Sequence, residues 1–184
     1  MKVEFDFLTG EEIYERVTRE EIPAAQRSLL IVTALVKQTT VELATGGYGP
    51  FLQLAETLLD RGVDIYLLFA GKPSKGFIDS ARSLPHVVSR LQMRICPRNH
   101  MKMILIDGRR LYLGSANLTG AGLGRRDKNQ RNFEFGLFTK DAQLIDRVSA
   151  MVQEIWEGAP CAKCRTKRLC RMEHERLSLA LASG

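Results

Sequence analysis

The sequence predicts an α/β protein in which helices flank a mixed, largely parallel β-sheet. Residues 28–36 and 63–69 are nearly unbroken apolar, β-branched runs, the pattern of strands buried on both faces. An amphipathic helical stretch lies between them, and a strand–helix–strand order implies a crossover and parallel pairing. Further on, short apolar runs flank Asp107-Gly108, a hairpin signal that adds antiparallel strands.

Each element has a local reason. Residues 3–7 open the chain as a short strand. Thr9 is placed to cap a helix with Glu11 and Glu12 in its first turn, where the helix dipole favours acids. Ile13 and Val17 share one face of that helix, and Pro23 ends it. Gly46-Gly47-Tyr48-Gly49 is a flexible loop, and Pro50 suits a first helical position. Phe51, Leu54, Leu58 and Leu59 then form an apolar stripe that Gly62 closes. A helix is expected over residues 76–83, a short strand over 90–96, and paired strands over 101–106 and 111–113. Residues 132–139 alternate as a strand. Residues 142–156 form a strong helix with Leu144, Ile145, Val148, Val152, Ile155 and Trp156 on one face. Residues 1–157 thus read as one domain. Residues 158–184 read as a small, basic, Cys-rich extension.

Composition excludes several classes. A chain of 184 residues with 45% hydrophobic and 26% charged residues is that of a globular domain with a full core. Its longest apolar stretch, residues 29–36, is interrupted by Thr33 and is too short to span a bilayer. Acids at Glu4 and Asp6 interrupt any secretory signal, so a cytoplasmic location is expected. The net charge of +6 is uneven: residues 1–89 carry −3, residues 90–131 carry +8, and residues 132–184 carry +1. A cationic field over the central segment attracts a polyanion.

That basic segment contains the most informative pattern in the chain: His100-x-Lys102-x4-Asp107-x6-Gly114-Ser115-x-Asn117. Imidazole is a good nucleophile near neutral pH because its free pKa lies close by. A lysine two residues on can neutralise charge growing on phosphate oxygens, and Ser115 and Asn117 can donate hydrogen bonds to the same oxygens. If the flanking residues are extended, the two-residue spacing puts each pair on one face. Asp107 sits in the hairpin turn and is expected to bond to backbone rather than substrate.

This pattern resembles the His-Lys-Asp motif of the phospholipase D superfamily, and the chain is similar to its single-motif, endonuclease-like members. Thr119 and Asn132-Phe133-Glu134 extend the resemblance, which spans residues 1–157. It implies an α-β-α sandwich and phosphodiester cleavage through a phosphohistidine on His100, with no catalytic cofactor. It also implies structural roles for Asp107 and Gly114. Glu134 is the candidate carboxylate for holding the His100 tautomer, by the logic of a nucleophile–orienter relay. Such an exchange needs a nucleophile and a general acid. The chain has one copy of the motif, so a homodimer sharing one active site is expected. Nucleic acid, DNA or RNA, is the favoured partner, with Arg125, Arg126, Lys128 and Arg131 as candidate phosphate contacts. A lipid phosphodiesterase and a non-catalytic nucleic-acid-binding module are the alternatives.

The cysteines form a second pattern, Cys161-x2-Cys164-x5-Cys170, with Cys96 far upstream. In a reducing compartment this spacing favours a metal over disulfides. Either Cys96 completes a four-thiolate site, or His174 completes a three-cysteine, one-histidine site. A structural Zn2+ ion and a [4Fe–4S] cluster both suit the spacing.

Overall fold

A computed structural model of the chain describes residues 2–182. β1 (Asp6–Thr9) leads into α1 (Glu11–Ile13), which continues as a π-helix over Tyr14–Glu21. Gly10, at φ 49°, takes the cap position expected of Thr9. Thr9 instead donates its N–H and its hydroxyl to Glu12 Oε2 at 2.9 and 3.0 Å. β2 (Ser28–Thr33) follows, then a small hairpin of β3 (Thr40–Glu42) and β4 (Tyr48–Pro50), formed across the predicted glycine loop. α2 (Phe51–Asp60) and β5 (Asp64–Phe69) match expectation within a residue. α3 (Lys75–Arg82) is capped by the Ser74 hydroxyl, which accepts from the Phe77 N–H. α4 (Pro85–Arg90), a short helix that begins on a proline, was not expected. β6 (Gln92–Ile95), β7 (Met103–Ile106), β8 (Arg110–Gly114) and β9 (Phe135–Thr139) complete the strands, and α5 (Ala142–Glu157) ends on left-handed Gly158. α6 (Lys167–Ala182) was also unforeseen.

The main sheet has seven strands in the order β1-β9-β8-β7-β2-β5-β6. It is mixed, as predicted, but parallel pairing is the minority. Only β2–β5 and β5–β6 pair parallel, and the other four ladders are antiparallel. The Asp107-Gly108 turn, where both residues are left-handed at φ 55° and 66°, as a tight hairpin requires, makes β7 and β8 antiparallel. β7 also runs antiparallel to β2.

Alternation along the central strands divides the core between the two faces of the sheet. Ile31, Leu67 and Ile104 join one cluster, with Leu54 and Leu58 of α2 and Phe77 of α3. Their neighbours Val32, Leu68 and Leu105 join the other, with Ile145 and Val152 of α5. Each such side chain, fully buried, contributes roughly 1.5–3 kcal/mol. Leu177 of α6 is buried in the first cluster, and the Ala180 carbonyl of α6 accepts from Arg82 Nε of α3 at 2.7 Å. No helix among the described residues is long and apolar enough to cross a membrane.

Candidate active site

The motif residues gather at one end of the sheet, where β2, β6 and β8 finish and β7 and β9 begin. His100 and Lys102 precede β7 instead of lying on it, and Ser115 and Asn117 follow β8. Antiparallel pairing joins the two segments: the Gly114 N–H donates to the Lys102 carbonyl at 3.1 Å. It also brings in β9, since the Ser115 N–H donates to the Phe135 carbonyl at 3.0 Å.

Two residues that sequence reasoning missed hold this arrangement. Asn99 is buried, and its Nδ2 donates to the Thr33 carbonyl of β2 at 2.9 Å while its Oδ1 accepts from the Met101 N–H at 3.1 Å. The peptide on either side of His100 is thereby tied to the sheet. Thr33, also buried, accepts the Leu118 N–H on its hydroxyl at 3.1 Å. The hydroxyl can itself donate to Asn117 Oδ1 at 3.1 Å. Their position beside a motif residue or at a strand end was the only signal available.

Asn117 Oδ1 also accepts the N–H groups of Ala34 and Leu35, each at 3.1 Å. This is why β2 stops at Thr33, three residues short of the predicted strand: a side chain takes the donors that a ladder would use. It also fixes the amide, leaving the Asn117 NH2 group as the donor available for substrate.

His100 is exposed. Lys102 Nζ lies 2.7 Å from the His100 carbonyl and 3.2 Å from His100 Nδ1. An ammonium has no lone pair, so in this contact Nδ1 is the acceptor. Glu134 was expected to orient this ring, but its bonds go elsewhere. The Ser115 hydroxyl donates to Glu134 Oε2 in a very short contact, and Asn132 Nδ2 donates to Oε1 at 3.1 Å. Ser115 Oγ accepts from the Phe135 N–H at 3.1 Å. Ser115 therefore serves the carboxylate here, and becomes a phosphate donor only by turning its single proton.

Asp107 bonds to backbone, as expected of the turn residue. Its Oδ1 accepts the Gln26, Arg27 and Ser28 N–H groups at 3.0, 2.8 and 3.1 Å, and its Oδ2 accepts Arg110 Nη2 at 2.8 Å. Burial alone would raise its pKa, but the amides of Arg27, Ser28 and Gln26, with Arg110, outweigh burial and hold it below the ordinary value of 3.8. Gly114 has a packing reason. The buried Tyr112 ring lies over it and over its cross-strand partner Gly136. A Cβ at Gly114 would collide with that ring and come within 2.7 Å of the Phe135 carbonyl oxygen.

The candidate phosphate contacts divide. Arg125, Arg126 and Lys128 are exposed, although Arg125 also rests 3.9 Å over the Tyr48 ring. Arg131 is engaged within the chain: its guanidinium binds the Gly124 carbonyl at 2.9 Å and those of Gly10 and Gly122 at 3.4 Å, so it ties its loop to the residue before α1. The cysteines lie close by. Cys96, Cys161, Cys164 and Cys170 line one cavity of about 660 Å³ that reaches His100. Among the described residues no group of three or more His, Cys, Asp or Glu is arranged to hold a metal ion, so the expected single-ion site is not formed. His174 Nε2 is engaged by the Ile95 backbone, 3.1 Å from both its N–H and its carbonyl. Burial, followed by the influence of Cys96, Cys161 and Cys164, raises the Cys170 thiol pKa. The Thr166 hydroxyl and N–H, followed by Arg98, lower that of Cys164.

Residues 18–156 match the family model described as cardiolipin synthase, PLD-like domain. The chain belongs to the phospholipase D-like family. Enzymes of this family do their chemistry without a metal ion. Cardiolipin synthase A of Pseudomonas putida is 32% identical over 104 residues, which are 54% of this chain and 20% of that protein. The chain spans only about a fifth of that relative. NucT from Helicobacter pylori superposes with a TM-score of 0.60 at 17% identity, covering 85% of this chain and 97% of NucT. Nuc, a phospholipase D family member from Salmonella typhimurium, gives 0.58 at 15% identity, covering 84% and 95%. TrmBL2, an archaeal chromatin protein described by its mode of DNA binding, gives 0.52 at 16% identity over 83% of this chain and 52% of its own length. These structural likenesses establish the phospholipase D-like α/β fold.

Proposed function

We propose that this protein is a metal-independent nuclease that hydrolyses DNA or RNA through a phosphohistidine on His100, two copies of the chain sharing one active site. One observation carries the reading: an exposed imidazole, a lysine, an oriented amide and a serine–carboxylate pair occupy one sheet end, in a chain with a single motif. An incoming phosphate competes with His100 Nδ1 for the Lys102 ammonium. Once Lys102 moves to the phosphate, the ring is free to change tautomer and Nε2 can attack phosphorus. The second copy's His100 enters the reaction as the doubly protonated imidazolium, gives one proton to the leaving oxygen and becomes neutral. It then takes a proton from the water that hydrolyses the phosphohistidine, which restores both rings.

Exposed apolar side chains beside the site support a second copy. Leu35, Phe133 and Phe135 are exposed, and each adjoins a site residue: Leu35 donates to Asn117, Phe135 donates to Ser115, and Phe133 precedes Glu134. Within one chain no carboxylate reaches the His100 ring in the hydrogen bonds of the described residues. In a face-to-face pair, the second copy's Glu134 is the group available for that role. The exposed cations Arg126 and Lys128 and the net +8 of residues 90–131 favour nucleic acid, and so does TrmBL2, a DNA-binding protein of the same fold.

A lipid phosphodiester is the second reading, favoured by the cardiolipin synthase description of the family model and by the Pseudomonas relative. The experiment is to incubate the protein in EDTA with plasmid, single-stranded DNA, RNA and cardiolipin vesicles. Cleavage of a nucleic acid, abolished by His100→Ala, supports the proposal. Release of lipid phosphate with nucleic acids intact overturns it in favour of the second reading. Tight, salt-sensitive DNA binding without turnover indicates a binding module.

A further inference from the structure

We propose that Cys96, Cys161, Cys164 and Cys170 hold a [4Fe–4S] cluster that staples the C-terminal segment to the strand leading into the His100 loop. Three of the thiols lie within ten residues, between the end of α5 and the first turns of α6, and Cys96, the residue after β6, joins them from 65 positions upstream. All four open onto the same cavity of about 660 Å³. Four cysteines brought together from 75 residues of chain, with no disulfide between them, form a donor set that chance packing does not explain.

The geometry separates a cluster from a single ion. A tetrahedral zinc site draws its sulfurs to about 2.3 Å from one point. Here all four thiols line one cavity, and among the described residues no group of three is arranged for one ion. A polynuclear cluster places iron and sulfide between its ligands, so it suits thiols spread around a cavity. His174, the competing fourth ligand, has its Nε2 engaged by the Ile95 backbone. The cavity wall also carries Arg94, Arg98, Lys167 and Arg171, and Arg98 Nη1 already lies 3.8 Å from Cys164 Sγ. Four cations offset the net negative charge of a four-thiolate cluster, which a low-dielectric site would otherwise disfavour. Cys170 Sγ now donates to the Ile95 carbonyl at 3.0 Å, a bond it surrenders on becoming a thiolate ligand.

The test needs no substrate and is independent of the nuclease reading. The full chain is purified anaerobically without chelators and assayed for iron, acid-labile sulfide, zinc and reactive thiols. The expected result is about four iron and four sulfide per chain, with a broad absorbance at about 400 nm. Cys161→Ser and Cys170→Ser should each lose most of the iron, and His174→Ala should keep it. Stoichiometric zinc, or a metal-free protein that still shows four titratable thiols after reconstitution with iron and sulfide, overturns the proposal. Because the wild-type stoichiometry decides the matter, a variant that fails to fold does not obscure it.

Discussion

Asp107 and His100 belong to one motif, seven residues apart, yet the structure treats them in opposite ways. Asp107 receives three backbone amides and a guanidinium. His100 is exposed, and among the hydrogen bonds of the described residues its ring meets only the Lys102 ammonium. A polar side chain with all its bonds met has no capacity left for substrate, so its contribution goes to folding. One left open contributes little to folding and is free for chemistry. Within a single signature, the degree of hydrogen-bond satisfaction therefore sorts architectural residues from reactive ones.

That sorting can be broken by experiment. The largest effect is expected at His100. His100→Ala should reduce phosphodiester cleavage by about 10³-fold or more, while the melting temperature stays near that of the wild type, since exposed sites move stability by roughly 0.5 kcal/mol at most. A collapse of stability instead would place His100 with Asp107. Lys102→Met should lower kcat by about 10²–10³-fold with the fold intact, as loss of a transition-state charge partner does. Single-turnover assays beside circular dichroism check both.

Asp107→Ala should show the reverse profile. It strands three amides and part of Arg110, and is expected to destabilise by about 1–3 kcal/mol in urea titration, with activity per folded molecule little changed. Asp107→Asn keeps Oδ1 for the amides and sharpens the point. The folded pKa of Asp107 is depressed, so its ionic contribution is fully present above the ordinary value of 3.8 and is lost as pH falls through the lower folded value. The asparagine variant should therefore lose part of the decline in stability below that pH. Gly114→Ala should cost about 1–3 kcal/mol through collision with the Tyr112 ring. The smallest effect is expected at the basic loop. Lys128→Ala should weaken DNA binding modestly and reduce the salt slope by about 1, whereas Arg131→Ala should act mainly on stability. If Arg131 matched Lys128 in salt dependence, its bracing role would be refuted.

The strands of the central sheet were legible because buried runs and amphipathic stripes are local patterns. Residues 63–69 and 142–156 needed no tertiary information. Residues 34–36 misled because they are apolar enough for a strand, while the acceptor that takes the Ala34 and Leu35 amides, Asn117, is 83 and 82 residues away. α6 was hidden because its apolar face is weak and interrupted by basic residues. The site residues were legible by spacing, but their partners were not. Glu134 reads as a companion of His100 in sequence and is paired with Ser115 in space. Arg131 looks like Arg126 in sequence and is bonded to three carbonyls in the fold.

The order of residues alone therefore settled which chemical groups this protein has, most of the helical and extended segments, and the family to which they belong. Those properties depend on neighbours within a few positions. Tertiary packing decided which of the groups remain free, how β7 pairs with β2, and that Cys96 shares one cavity with three thiols far along the chain. Each of those outcomes depends on acceptors and surfaces far away in the chain, and a buried hydrogen bond can form only with a partner that the completed fold brings within reach.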